Sequence, residues 1–301
     1  EPRYNFDGGT NEQNCVWSAA QPIINSWESR KNLLDSAVPS KYFVVDCLGL
    51  LGVGTANEGL YSGDINNSYE GYSNDPRLPL LMIPRKGPDG DTKVKVRHVE
   101  NNIGVGTSYK TDHFPKLYMG AYAGANDAYN PIFTMEELYF IKAEAYYWKG
   151  DKTTACALAK EATEYNIQRH LDFFQANYAS GTNIYPGQAT DDGVGTNNAE
   201  QWEAQLNAFL NNEEYSTVDR RGKKIVRVRP VSERGNKRWF FNPSEFDLSA
   251  LMIQKYIAMY MQPEQWTDMR RYHYSNKRNN YGIGDANEII YPNLRRPYNL
   301  Y

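Results

Sequence analysis

Between residues 134 and 166 the apolar positions recur at three- and four-residue steps. Met135, Leu138, Tyr139, Ala145 and Tyr146 mark one face, and Thr134 with Glu137 forms a capping box where that face begins. Gly150 follows the last turn, where a left-handed residue is wanted, and Asp151 is placed to cap a second helix. The pattern predicts two short helices in a tight hairpin. Further on, LSALMIQKYIAMYM from Leu248 is apolar nearly all round and predicts a buried helix. Pro263 then opens a short helix with Trp266 and Met269 three apart on its inner face. Residues 200–210 predict another helix, with Trp202, Leu206, Phe209 and Leu210 on one side, and residues 23–34 a further one.

The remaining apolar signal is shorter. The run YFVVDCLGLL at 42–51 reads equally as a buried strand or a helix segment. Residues 80–83 and 93–99 flank the turn Gly87-Pro88-Asp89-Gly90, and the alternation in KVKVRHV predicts a half-exposed hairpin strand. Residues 219–238 are rich in Lys and Arg, but their interleaved acids, Pro230 and the alternation in KIVRVR point to a charged hairpin rather than a nucleic-acid surface.

Laid on the 34-residue tetratricopeptide pattern, the 134–166 hairpin puts Ala143, Ala155 and Ala162 where facing helices touch, Tyr139 and Tyr146 at the aromatic positions, and Gly150 at the turn. Lys142 and Ala159 depart from that pattern, and an ordinary helical hairpin is the alternative. Either unit needs neighbours to bury its apolar face.

Two long stretches carry loop chemistry. Residues 56–76 hold Tyr61, Tyr69 and Tyr72 among Asn, Ser, Gly and Asp with hardly any aliphatic residue, and residues 101–130 repeat that character with Tyr109, His113, Tyr118 and Tyr122. One role for such a surface is saccharide binding, with tyrosine faces stacking on the apolar side of a pyranose while Asp64, Asn66 and Asn67 serve its hydroxyls. The other is a surface loop whose tyrosines fold back onto the body. His113 stands without a second ligand at metal spacing, so a structural histidine is expected and no metal site is assigned.

At 301 residues the chain can bury a sizeable core. Its net charge of −3 and pI near 5.9 give it no bulk attraction for nucleic acid or anionic lipid. With 24 tyrosines against 6 tryptophans and 11 phenylalanines, the aromatic content is hard to place wholly in a core, because buried hydroxyls need partners. Cys15, Cys47 and Cys156 are widely spaced without a CxxC pair, which indicates neither a disulfide framework nor a zinc site, and Cys156 is expected to be a small core residue. No run approaches the length of a membrane span. Gly52-Val53-Gly54-Thr55 is not a dinucleotide loop, since the third glycine of that fingerprint falls at Asn57.

Two of the helical stretches together, LYFIKAEAYYWKGD and MIQKYIAMYMQPEQWTDMRRYHY, resemble the SusD/RagB family of nutrient-binding outer-membrane lipoproteins from gut-type Bacteroidetes. The residues that carry the resemblance are Lys142-Ala143-Glu144, Gln254-Lys255, Trp266 and Arg270-Arg271, and order and rough spacing agree over residues 75–298. Trp266 and both arginines read as structural, the arginines pairing with acids or helix carboxyl ends.

The resemblance implies a mostly α fold of tetratricopeptide-like helical hairpins with long loops and small β-hairpins, a SusD-like α/α superhelix. It implies one domain over 1–301 that corresponds to the C-terminal part of a member, with the N-terminal helices and lipid-anchor segment outside this sequence. It further implies a cell-surface, outer-membrane protein that captures oligosaccharide or polysaccharide for a SusC-like TonB-dependent transporter, without catalysis or cofactor. Some members are associated with peptides instead. The expected ligand-binding residues are Tyr61, Asp64, Asn66, Asn67, Tyr69, Tyr72, Tyr109 and Tyr118. Two other classes compete: a glycoside hydrolase, which needs two carboxylates held about 5–10 Å apart, and a repeat scaffold that binds protein. Glu58, Glu70 and Asp75 lie near the tyrosines, but no neighbouring pattern fixes them, and no HExxH, GxSxG or Walker loop is present. Only one convincing repeat is visible, which weakens the scaffold.

Overall fold

Thr134 and Asp151 each start a helix as the sequence predicts. The computed structural model describes residues 3–4, 40, 42–48, 50–51, 58–64, 67–69, 72–73, 75, 77, 81, 85–86, 93–97, 130–131, 133–179, 199–218, 222, 224–228, 241–260, 262–274, 289–292 and 294. Thr134 Oγ1 accepts from the Glu137 amide at 3.2 Å, and helix α1 runs Met135–Trp148. Asp151 Oδ1 accepts from the Thr154 amide at 3.0 Å, and helix α2 runs Lys152–Ala179. That bond holds the Asp151 carboxyl below the usual carboxylate range. Between the helices Gly150 sits at φ +85°, where its amide reaches the Tyr147 carbonyl and the Asp151 amide the Tyr146 carbonyl. A side chain at 150 would strain this turn, although the space around it is open.

The buried faces differ from the predicted ones. In α1 the inner residues are Glu136, Phe140, Ala143 and Glu144, whereas Met135, Leu138 and Ala145, expected inside, are exposed. Two carboxylates on the inner face reverse the hydrophobic signal, and the interior tolerates them because each meets an arginine. In α2 the inner stripe is Ala155, Ala159, Ala162, Thr163, Asn166, Ile167, His170 and Leu171. It outlasts the predicted end at 166 because buried polar residues interrupt the apolar pattern while keeping its three- and four-residue spacing. Ala143, Ala155 and Ala162 have no exposed surface, so the two helices face each other through small residues. Cys156 is buried as expected, and so is Cys47.

Helix α3, Ala199–Asn211, ends in a left-handed Asn212 and buries Leu206, Ala208, Phe209 and Leu210 with Ile167 of α2 and Val228. Helix α4, Leu248–Ala258, is capped by Asp247, whose Oδ1 accepts from the Ala250 amide at 2.7 Å. It is buried along almost its whole circumference, touching α1, α2 and a π-helical turn at Tyr42–Cys47. The ambiguous run at 42–51 therefore resolves into that turn and the short strand Leu50–Leu51. Helix α5, Pro263–Arg271, follows with the predicted proline at its start, and Gln265 Nε2 donates to the Tyr256 carbonyl at 2.5 Å, serving an open end of α4. Trp266, expected on the inner face, is 37% exposed, and Asp268 is buried instead. Ser249 Oγ donates to the Ile290 carbonyl at 2.7 Å and ties residues 289–292 to α4.

The strands are β1 (Arg3–Tyr4), β2 (Leu50–Leu51), β3 (Glu58–Asp64), β4 (Asn67–Tyr69), β5 (Tyr72–Ser73), β6 (Arg85–Lys86), β7 (Lys93–Arg97), β8 (Asn130–Pro131), β9 (Tyr215–Val218) and β10 (Lys224–Val228). All pairings are antiparallel: a sheet ordered β4-β3-β7-β6 and the pairs β1-β8, β2-β5 and β9-β10. The expected alternating strand is β7, and its hairpin partner β6 lies just beyond the predicted 80–83. Of the charged hairpin expected within 219–238, the strand β10 lies there, and it pairs with β9, which ends just before that range. The described part is mostly helical. The helix expected over 23–34 lies outside the described residues.

Candidate ligand-binding face and buried ion network

Five of the eight expected ligand residues fall on adjoining strands. Tyr61 and Asp64 are in β3, Asn67 and Tyr69 in β4, and Tyr72 in β5. Asp64 stands opposite Asn67 and Gly63 opposite Tyr69, with an irregularity between the two pairs. Tyr72 stands opposite Leu51 of β2, and β5 also touches β3 and β10. Residues 58–64, 67–69 and 72–73 are therefore not the loop predicted from their composition. Tyrosine is a strong strand former, and cross-strand pairing with β7 supplies the backbone partners that a Gly- and Ser-rich segment lacks by itself. Asn66, Tyr109, Tyr118 and His113 lie outside the described residues.

A second set of residues, mostly missed in the sequence, forms a buried ionic core. Arg77 has no exposed surface. Its Nε donates to Asp75 Oδ1 at 2.9 Å, Nη2 to Asp75 Oδ2 at 2.6 Å and to Gln254 Oε1 at 2.6 Å, and Nη1 to Asn166 Oδ1 at 3.0 Å. Asn166 Nδ2 in turn donates to Glu136 Oε1 at 3.3 Å, and Arg169 pairs with the same carboxylate. One guanidinium thus joins the segment after β5 to α2 and α4 through two amide oxygens, held in place by a bidentate contact with Asp75 of its own segment. Asp75, for which no neighbouring sequence pattern predicts a fixed position, is pinned through both oxygens. It is unsuited to acid-base work on a ligand.

Three of the residues behind the family resemblance, Glu144, Lys255 and Arg271, form a second cluster, in which the Arg271 side chain is 45% exposed. Arg271 Nη1 pairs with Glu144 Oε1, while its Nη2 reaches Glu144 Oε2 at 2.9 Å and Asp268 Oδ1 at 2.6 Å. Tyr272 donates its hydroxyl to Glu144, and Lys255 Nζ meets Asp268 at 2.7 Å. Burial alone would raise the Glu144 carboxyl, but Arg271 and Tyr272 outweigh it and hold the group below the usual range. Burial would lower Arg271, and Glu144 overcomes that to push it up. Burial, reinforced by Glu144, pushes the Tyr272 hydroxyl up.

Just past α5, His273 and Tyr274 both have left-handed backbones, at φ 56° and 57°. Such a conformation costs a non-glycine residue about 1–2 kcal/mol. It is held by the Glu144 contact at Tyr272 and by the edge-on packing of buried Tyr274 against Trp266, 6.1 Å between centroids. Trp266 and Arg271 are structural, as expected, and Arg270 is exposed.

His170, buried on α2, is pushed well below its ordinary pKa by burial and then by Arg169 and Arg77. The folded imidazole stays neutral where the unfolded chain takes up a proton. Stability is therefore expected to be level above about pH 6.5 and to fall below it, with a slope approaching about 1.4 kcal/mol per pH unit. Urea melts between pH 7.5 and 5 check this, and His170→Gln should flatten the slope. Glu144, with its lowered pKa, loses its contribution only at more acidic pH, so the two effects separate.

Comparison with known protein families, characterised proteins and solved structures finds no match to this chain. Among the described residues no helix is long and apolar enough to cross a membrane, and no cluster of three His, Cys, Asp or Glu could hold a metal ion.

Proposed function

We propose that this chain is a SusD/RagB-like surface protein that captures a glycan and passes it to a SusC-like TonB-dependent transporter in the outer membrane. The observation that carries the proposal is the convergence of residues far apart in sequence. Glu144, Lys255 and Arg271, which resemble that family's pattern, meet in one ion cluster with Asp268, and Gln254 beside them receives Arg77. Their spacing along the chain acquires a physical reason, since each residue type completes a contact that another leaves open. The finer architecture belongs to the same proposal: α1 and α2 form a divergent tetratricopeptide unit within an α/α superhelix, and attachment to the membrane is through a lipid anchor.

The ligand face is assigned to the β3, β4 and β5 strands with Tyr61, Asp64, Asn67, Tyr69 and Tyr72, together with Asn66, Tyr109 and Tyr118. Capture beside a pore needs only modest affinity, which stacking and a few hydrogen bonds provide. Each stacking contact is worth on the order of 0.5–1.5 kcal/mol beyond area. Tyr61→Ala, Tyr69→Ala or Tyr72→Ala should therefore weaken binding several-fold in affinity electrophoresis while leaving melting curves almost unmoved. Undiminished binding in a triple variant would place the ligand elsewhere.

Capture without chemistry is the other half. Incubation with plant and host polysaccharides is expected to release no reducing ends. Product that disappears when one carboxylate is replaced would establish a hydrolase.

A further inference from the structure

On the outer side of the helical hairpin, α1 and α2 bring four side chains into one patch. Tyr139 and Lys142 stand one turn apart on α1, and Glu161 and Tyr165 one turn apart on α2. The rings of Tyr139 and Tyr165 are 5.2 Å apart at 50°. Lys142 Nζ lies 5.1 Å from the Tyr139 centroid. Glu161 and Tyr165 are close enough to the Tyr139 hydroxyl to push its pKa up to about 12. Tyr165 is 40% exposed, and among the described residues no cation lies over its ring.

The arrangement continues along α1. Lys149 Nζ is 5.3 Å from the Tyr146 centroid, repeating the Tyr139 and Lys142 pair seven residues later, and Lys152 Nζ is 5.5 Å from Tyr147. Seven residues of helix advance about 10.5 Å. Among the described residues none of these three lysines is in an ion pair, although elsewhere in the hairpin charges are matched, as with Arg169 and Glu136. Ammonium groups laid on tyrosine faces remain available to an anion arriving from solvent, since the cation–π contact constrains them without neutralising them. A tyrosine ring that is 40% exposed and flanked by a carboxylate, with unneutralised ammonium groups at one side, matches a sugar ring that carries its own carboxylate. The ring's apolar face packs on Tyr165, its hydroxyls reach Glu161 and its carboxylate meets Lys142, while the carboxylate of a ring further along the oligosaccharide meets Lys149.

We propose that the Tyr139, Lys142, Glu161 and Tyr165 patch, extended along α1 by Tyr146 and Lys149, is a second glycan subsite that takes uronate-bearing oligosaccharides. The class of ligand rests on the capture function proposed above, whereas the place is independent of the strand tyrosines. The subsite adds avidity along a chain long enough to reach both.

The test is calorimetric titration of the protein with tetragalacturonate, with cellotetraose as the neutral control. Tetragalacturonate should bind more tightly, with affinity falling as salt rises. Tyr165→Ala should weaken it at least tenfold, and Lys142→Gln with Lys149→Gln several-fold with loss of the salt dependence, both at an unchanged melting temperature. Cellotetraose binding alone would overturn the acidic class while leaving glycan capture standing. Tetragalacturonate binding that survives Tyr165→Ala and disappears in Tyr61→Ala with Tyr72→Ala would overturn the subsite and favour the strand face. Absence of binding by either saccharide would count against the subsite, and the polysaccharide panel then decides whether capture itself stands.

Discussion

Arg77→Ala is expected to destabilise the protein by about 3–5 kcal/mol, the cost of leaving a buried carboxylate without its partner. Asp75 would keep a charge in a site with no exposed surface, and Asn166 and Gln254 would each lose the donor to a side-chain oxygen. Arg77→Lys should recover little, because a single ammonium cannot reproduce the fork that meets Asp75 through two nitrogens while also reaching two amides. Replacing Asp75 and Arg77 together by Leu and Met should cost less than Arg77→Ala alone, since an apolar pair removes the buried charges instead of orphaning one. Urea midpoints of the three variants check the order. If Arg77→Ala melts like the parent protein, the guanidinium is not at the junction of α2 and α4.

The helices were legible where their signals are local. A capping hydroxyl at 134, a carboxylate at 151, a left-handed glycine at 150 and a proline at 263 act within one turn of themselves, and each sits where the sequence places it. The faces were less legible. Hydrophobic spacing assigns Met135, Leu138 and Ala145 to the inside of α1, yet the interior there takes Glu136 and Glu144 because arginines from residues 169 and 271 arrive to meet them. No window along α1 contains that information. Trp266 misleads for the same reason, since Asp268 on the same helix is buried by its contacts with Lys255 and Arg271. At the candidate ligand face, composition identified the tyrosines but not their strands, because Gly and Ser weaken the alternation while pairing with β7 restores the backbone bonds. The pairing of Glu144 with Arg271 was legible only as two fragments resembling one family, and the structure supplies the contact between them.

Ala143→Trp is expected to reduce stability by at least about 3 kcal/mol, at the upper end of overpacking costs. Ala143, Ala155, Ala159 and Ala162 are fully buried, so α1 and α2 approach with almost no side-chain volume between them. An indole has no room at 143 unless the helices separate. Separation would also pull Glu144 from Arg271 and Tyr272, one residue further along α1. Loss of packing and loss of the ion pair are then coupled, and the two should not add independently. Ala155→Trp disturbs the same contact from the other helix, farther from Asn166 and the Arg77 network, and is expected to cost less than Ala143→Trp. Ala145→Trp, on the exposed side of α1, is the control and should change stability by no more than about 0.5 kcal/mol. Melting curves of the three variants separate the cases. Equal melting temperatures for the 143 and 145 variants would mean that α1 is turned the other way, with Met135 and Leu138 inside.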